Sequence, residues 1–166
     1  MKNFYIFDMD GTLATSMKLW REECAKIDMS DENAWESVFQ RMKKHYAEEI
    51  ELKSGALGFI RKAKERGVKM CIASATRRDI AEPFLEKSGL LDYIEFYIDC
   101  IEIGAYKDKP DVFLLAAKRL GADISECVVF EDTPQAAATA KDAGFYVVGV
   151  YDSITVNDGN IKPFVD

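Results

Sequence analysis

The chain has 166 residues, 48% of them hydrophobic and 31% charged, which suits one packed α/β core with at most a small insert. With 22 Lys and Arg against 29 Asp and Glu, the formal charge is -7, so the surface as a whole repels nucleic acid and anionic membranes. The four cysteines form no C-x-x-C pair, and no apolar stretch is long enough for a signal peptide or a membrane span, so we expect reduced thiols and a cytoplasmic protein.

Short apolar runs that end in polar residues predict the buried strands of a parallel sheet. They lie at residues 4–7, 68–73, 127–130 and 146–150. The first three end at Asp8, at Ser74 and at the pair Glu131-Asp132. Each of these three strands is therefore expected to have polar side chains at its C-terminal end.

Helical patterns separate these strands, and each is closed by a glycine. They lie at residues 56–66, 79–88, 112–120 and 134–143. Strands that alternate with helices imply right-handed βαβ units and hence a Rossmann-like three-layer α/β fold around a parallel sheet. Ligands of such folds bind at the carboxyl ends of the strands, where the polar residues fall.

Residues 14–53 do not fit the alternation, because two helical patterns, at 17–27 and 32–50, have no strand between them. We predict a small helical cap insert here and a core domain made of residues 1–13 and 54–166. Apolar side chains at near-helical spacing in the insert are interpreted as packing positions rather than ligand contacts. These side chains are Leu19, Trp20, Trp35, Val38, Phe39, Met42 and Tyr46.

The strongest chemical signal is the segment Asp8-Met9-Asp10-Gly11-Thr12-Leu13, directly after the first strand. Two carboxylates two residues apart can face one cavity where the chain leaves the extended conformation, and Gly11 permits that turn. Alone, such a segment is equally typical of a solvated turn. Ser74, the lysine-rich loop at 107–110 and the Glu131-Asp132 pair follow later elements, and their order removes the ambiguity.

This ordered set resembles the four motifs of the haloacid dehalogenase superfamily over residues 3 to about 150. The segments 52–56 and 130–136 look most like its β-phosphoglucomutase and phosphoglycolate phosphatase branch. The resemblance implies a phosphohydrolase acting on a small-molecule phosphate ester. In it, Asp8 is the nucleophile and Asp10 the general acid and then the general base.

The resemblance also implies a Mg²⁺ site. Its ligands would be Asp8, Asp132, Glu131 and the backbone carbonyl of Asp10, since Mg²⁺ prefers oxygen ligands. A phosphate monoester and a carboxylate repel each other, so a cation and a lysine are needed to offset the charge. Ser74 would contact a phosphoryl oxygen, although a helix-capping serine is the alternative.

The lysine loop departs from the family pattern, which reads Lys-Pro-x-Pro-Asp. Here the loop is Lys107-Asp108-Lys109-Pro110-Asp111, without the first proline. The catalytic lysine is Lys107 if the family pattern is aligned on Pro110-Asp111, and Lys109 if it is aligned on the Lys-Pro pair. We favour Lys107. The tandem Arg77-Arg78 would either contact the substrate or be a solvated helix start.

Two other functions use similar residues. A phosphosugar mutase needs a cap that excludes water, and an insert of about two helices covers the site poorly, so hydrolysis is favoured. A receiver-type signalling module carries its phospho-acceptor after a middle strand, whereas here that strand ends in Ala73-Ser74-Ala75-Thr76 without an acid.

Overall fold

A five-stranded parallel sheet forms the centre of the protein, seen in a computed structural model that describes residues 2–28, 30–31 and 33–166. The strands are β1 (Phe4–Phe7), β2 (Lys69–Ser74), β3 (Tyr97–Asp99), β4 (Cys127–Glu131) and β5 (Tyr146–Gly149). Their order is β3-β2-β1-β4-β5, and each pairing is parallel. The predicted Rossmann-like sheet is therefore confirmed.

Helices cover both faces of this sheet. They are α1 (Met17–Cys24), α2 (Ala34–Glu48), α3 (Ala56–Glu65), α4 (Arg78–Ser88), α5 (Cys100–Ile103), α6 (Asp111–Leu120) and α7 (Pro134–Asp142). Short 3₁₀ turns lie at Leu90–Asp92, Ile124–Glu126, Thr155–Asp158 and Lys162–Phe164. The helices predicted after residue 54 begin and end within one residue of the observed bounds.

Strand β3 and the one-turn helix α5 that follows it were not predicted from the sequence. β3 has only three residues and lies between Glu95 and Asp99, so it lacks the apolar length that marks the other strands. Its Tyr97 and Ile98 are nevertheless buried, because the strand pairs with β2 at the edge of the sheet. Tertiary pairing defines this strand.

Successive residues of β1 face opposite sides of the sheet and so belong to two separate cores. Ile6 packs with residues of α6 and α7, such as Phe113 and Ala137. Phe7 packs with residues of α2, α3 and α4, such as Met42 and Phe84. The insert therefore contributes to the core on one face of the sheet.

The two ends of the insert meet beside β1. Ala14 pairs with Leu52, the Thr15 amide donates to the Glu51 carbonyl at 2.9 Å, and the Lys53 amide donates to the Leu13 carbonyl at 2.8 Å. Between these ends lie α1 and α2, both shorter than predicted. Glu32, where the second helical pattern was expected to begin, lies outside the described residues.

Helix α2 buries one face through Val38, Met42 and Tyr46, which are spaced four residues apart and are fully buried. The packing interpretation is confirmed for these three residues. It is wrong for Trp35, which is 47% exposed, while Leu19, Trp20 and Phe39 are half-buried. The aromatic residues of the insert are thus divided between the core and an exposed surface.

The cysteine side chains lie mainly inside the fold. Cys71, Cys100 and Cys127 are buried and Cys24 is half-buried, and all four are free. Among the helices of residues 2–28 and 33–166, none combines the length and the apolar character that crossing a membrane requires.

Candidate active site

The acidic residues singled out from the sequence meet at the carboxyl ends of the central strands. Asp8 follows β1, Glu131 ends β4 and Asp132 follows it, and β1 and β4 are neighbours in the sheet. The Asp8 amide donates to the Phe130 carbonyl at 2.9 Å, which holds the two strand ends together. Residues more than 120 positions apart thus form one buried acidic cluster, as parallel strands require.

Lys107 bridges two of these carboxylates. Its Nζ bonds to Oδ1 of Asp8 and lies 3.0 Å from Oε2 of Glu131, and its side chain is only 10% exposed. Burial alone lowers the pKa of Lys107, but the charges of Asp8 and Glu131 outweigh it and raise the pKa above its ordinary value. Lys109 is exposed. The lysine that lies in the site is therefore Lys107.

Two carboxylate oxygens at the centre of the cluster suit a cation. Oδ2 of Asp8 and Oδ2 of Asp132 are buried and accept no hydrogen bond from any described residue. Burial, reinforced by the charge of Glu131, raises the pKa of Asp8 well above its ordinary value and that of Asp132 to about 7. Ligand oxygens of Asp8, Glu131 and Asp132 lie within 4.8 Å of one another. These residues fit Mg²⁺, which would satisfy oxygens that are otherwise costly to bury.

Glu131 differs from its neighbours because hydrogen-bond donors already occupy its carboxylate. Oε1 accepts from the Asp132 amide at 3.1 Å and from the amide and hydroxyl of Thr133 at 3.1 and 2.9 Å. Oε2 accepts from Lys107. In this arrangement Glu131 orients Lys107 and the turn after β4.

Gly11 lets the turn after β1 approach Asp132 closely. Its φ of +88° lies in the left-handed region, and a Cβ added there would lie 2.1 Å from Oδ2 of Asp132 and 2.9 Å from Cγ of Met17. The next residue, Thr12, donates its hydroxyl to Oδ1 of Asp132 at 3.2 Å. The turn thus positions Asp132 and admits only glycine at its centre.

Asp10 is held by hydroxyl groups from three parts of the chain. Oδ1 accepts from Ser16 at 2.5 Å and from Tyr46, and Oδ2 accepts from Thr76 at 2.7 Å and more weakly from Ser74 at 3.5 Å. No sequence pattern predicted that Ser16, Tyr46 and Thr76 belong to the site. The helical spacing of Tyr46 marked it as a core residue, and only the position of Thr76 two residues after Ser74 hinted at a role.

Ser74 is fully buried at the end of β2, and its hydroxyl accepts from the Thr76 amide at 3.0 Å. It does not cap a helix, because α4 begins only at Arg78. The two arginines are paired on the surface, Arg77 with Asp79 and Arg78 with Glu82. Neither guanidinium reaches the acidic cluster.

A cavity of about 610 Å³ opens over the cluster. Asp8, Asp10, Lys107, Glu131 and Asp132 all line it. A molecule in this cavity would meet buried carboxylates, two of which have unpaired oxygens, and a lysine side by side. This combination suits the transfer of a phosphoryl group to a carboxylate.

Comparison with known proteins identifies relatives of the chain. Residues 30–144 match the family described as haloacid dehalogenase-like hydrolase. The Bacillus subtilis protein YhcW is 30% identical over 123 residues, covering 72% of this chain and 56% of YhcW. The fructose-1-phosphate phosphatase YqaB of Escherichia coli is 35% identical over 81 residues, covering 49% of this chain and 43% of YqaB. The chain thus spans about half the length of these curated relatives.

A solved structure shares the fold at low sequence identity. CbbY from Rhodobacter sphaeroides, crystallised with phosphate, superposes with a TM-score of 0.80 at 20% identity. The alignment covers 94% of this chain and 89% of that one. The likeness extends over almost all of the sheet and its helices.

Proposed function

The chain belongs to the haloacid dehalogenase-like hydrolase family, and on that basis we propose that it is a Mg²⁺-dependent phosphatase that cleaves a small phosphate monoester through an aspartyl phosphate at Asp8. The observation that carries the proposal is the buried group formed by Asp8, Lys107 and Asp132. Such a group is costly for folding, which is typical of residues retained for chemistry.

Asp8 is assigned the nucleophilic role. Its oxygen forms a bond to phosphorus while the bond from phosphorus to the leaving oxygen breaks. Lys107, now paired with Asp8, offsets the negative charge shared by the carboxylate and the phosphoryl group. Ser74, at the end of β2 and 3.5 Å from Oδ2 of Asp10, is assigned to donate its hydroxyl to a phosphoryl oxygen.

Asp8, Asp132 and the backbone carbonyl of Asp10 are assigned to Mg²⁺, because the two carboxylates have free buried oxygens. Glu131 belongs to the same acidic cluster, and we assign it mainly to Lys107, which it already binds. When bound, the ion supplies positive charge that lets a phosphate dianion approach a carboxylate.

Asp10 is assigned the proton transfers. It gives a proton to the leaving alkoxide in the first step, and in the second it takes one from the water that attacks the aspartyl phosphate. Phosphate is released and Asp8 is restored. The hydroxyls of Ser16, Tyr46 and Thr76 hold the carboxylate at the cavity wall for both steps.

Hydrolysis is favoured over a mutase reaction by the form of the insert. We retain residues 14–53 as a small cap insert and residues 1–13 and 54–166 as the core domain. Helix α2 packs on the core, and none of its described residues lines the catalytic cavity. Water therefore has access to the aspartyl phosphate, and a relative such as YqaB carries the name of a phosphatase.

The test is phosphate release from a panel of phosphate esters with Mg²⁺ and with excess chelator. We expect release only with the ion. In a second assay, with a hexose 1-phosphate and its bisphosphate, free phosphate should match substrate loss one for one. Full activity in chelator would refute the metal requirement, and isomerised sugar phosphate with little free phosphate would establish a mutase.

A further inference from the structure

A second cavity, of about 550 Å³, adjoins the catalytic cavity. Asp10, Met17, Ala75 and Tyr106 line both cavities, so they meet at Asp10. In the proposed function Asp10 protonates the leaving oxygen. The alcohol part of the substrate therefore points toward this second cavity when the phosphoryl group lies at Asp8.

The second cavity has an aromatic lining, and we refer to it as the aromatic cavity. Trp20 and Phe39 contribute half-buried rings, and Trp35 and Tyr106 contribute rings that are 47% and 59% exposed. Ile101, 49% exposed, adds an aliphatic surface. Large apolar side chains left open beside a catalytic group are typical of a ligand-binding surface.

The two charged groups that line the aromatic cavity, Asp10 and Arg77, already have partners. The carboxylate of Asp10 accepts four hydroxyl groups, one of them from Thr76. The guanidinium of Arg77 is 2.7 Å from Asp79 and 3.6 Å from Glu36. A sugar with many hydroxyl groups would find few free partners here, and burying its hydroxyls would be unfavourable.

We propose that the aromatic cavity binds the leaving group, and that the preferred substrates are phosphate monoesters of alcohols that carry a planar aromatic ring system. A flat ring can stack on the tryptophan and tyrosine rings without needing hydrogen bonds. The inference rests on the proposed function, because that function directs the leaving group to Asp10.

The kinetic test uses pairs of phosphate esters that share the pentose or polyol part of the leaving group, and only one member of each pair carries an aromatic ring system. Adenosine 5′-monophosphate is compared with ribose 5-phosphate, and riboflavin 5′-phosphate with ribitol 5-phosphate. In at least one pair the ring-bearing ester should have a KM lower by about tenfold or more, the effect of one stacked ring. Equal KM values within both pairs would overturn the inference.

Two variants test whether the aromatic ring of the substrate binds in the aromatic cavity. Trp35→Ala removes an exposed ring of the aromatic cavity. The matched control is Tyr146→Ala, which removes a partly exposed ring at the N-terminal end of β5, away from the carboxyl edge of the sheet. Trp35→Ala should remove most of the KM difference between the members of a pair, while Tyr146→Ala should preserve it. A ring preference that survives Trp35→Ala would show that the ring binds elsewhere.

A binding measurement separates this inference from the proposed function. The chain has two tryptophans, Trp20 and Trp35, and both line the aromatic cavity, so their fluorescence reports on it. Adenosine should quench this fluorescence and ribose should not. Asp8-dependent hydrolysis of acetyl phosphate without quenching by adenosine would refute the aromatic site alone. Quenching without any phosphate release would refute the phosphatase alone.

Discussion

The hydroxyl of Tyr46, in the insert, donates a hydrogen bond to Oδ1 of Asp10, in the turn after β1. Tyr46 is fully buried, and Nε1 of Trp20 donates to its hydroxyl at 2.9 Å. Burial, and next the charge of Asp10, raise the pKa of Tyr46 well above its ordinary value, so the phenol stays protonated and acts as a donor. The insert thus orients the residue to which we assign proton transfer.

The variant Tyr46→Phe should lower kcat about tenfold for an alkyl phosphate, because Asp10 loses a fixed orientation. Acetyl phosphate, whose leaving group needs no proton, should be affected much less. Tyr5→Phe is the matched control, since it removes a phenolic hydroxyl from a ring packed on the same core. Equal losses on both substrates would indicate a structural role only.

The variant Asp8→Asn should lower phosphate release at least about a hundredfold, because an amide is a poor nucleophile. Folding should survive, and in chelator the melting temperature should stay the same or rise, because burial raises the pKa of Asp8 despite Lys107 and so disfavours its charged form in the folded protein. Phosphate assays and thermal denaturation measure the two effects. Substantial remaining turnover would exclude Asp8 as the nucleophile.

The variants Lys107→Ala and Lys109→Ala should behave very differently. Lys107 contacts Asp8 and Glu131, whereas Lys109 is exposed. We expect a loss of about a hundredfold or more for Lys107→Ala and almost none for Lys109→Ala, as only the former charge offsets that of the phosphoryl group. Steady-state kinetics of both variants measure this, and the reverse asymmetry would show that the lysine register is wrong.

Without metal, stability should fall as pH rises through the acidic range. Burial and Glu131 raise the pKa of Asp132 from 3.8 to about 7, so the folded protein favours the protonated form. The stability that protonated Asp132 contributes is fully present below its pKa in the unfolded chain and is lost above its pKa in the folded protein. The melting temperature in chelator should therefore drop between about pH 4 and 7. Mg²⁺ should remove the drop, and Asp132→Asn should weaken it. A melting temperature that rises across this range in chelator would contradict the raised pKa.

The variant Gly11→Ala should disturb both the fold and the metal site. Its Cβ would lie 2.1 Å from Oδ2 of Asp132, at a φ of +88°. We expect a loss of about 1–3 kcal/mol in the free energy of unfolding and weaker Mg²⁺ binding. Gly58→Ala, in α3, is the control, because no atom lies near its added Cβ and alanine favours a helix. Denaturant unfolding and metal titration compare the two, and a Gly11→Ala protein as stable as Gly58→Ala would show that the turn is adaptable.

Local patterns were sufficient to predict most of the fold. Apolar runs that end in polar residues marked β1, β2, β4 and β5, because a strand buried on both faces needs apolar side chains on both. β3 escaped notice, since three residues are too few to form a pattern and only its pairing with β2 makes it a strand. The meeting of the acidic residues could also be predicted, because they follow strand ends and parallel strands bring their carboxyl ends to one edge of the sheet.

The sequence by itself determined four of the five strands, the longer helices after residue 54 and the acidic edge, because these depend on periodicity and on residues that follow strand ends. The distance to Pro110-Asp111 favoured Lys107 but left Lys109 open, and the tertiary structure places Lys107 against Asp8 and Glu131 and leaves Lys109 exposed. The tertiary structure also decided that Tyr46 reaches Asp10 and that Trp35 remains exposed. Spacing along a helix tells which residues share a face, but what that face meets depends on how distant segments pack.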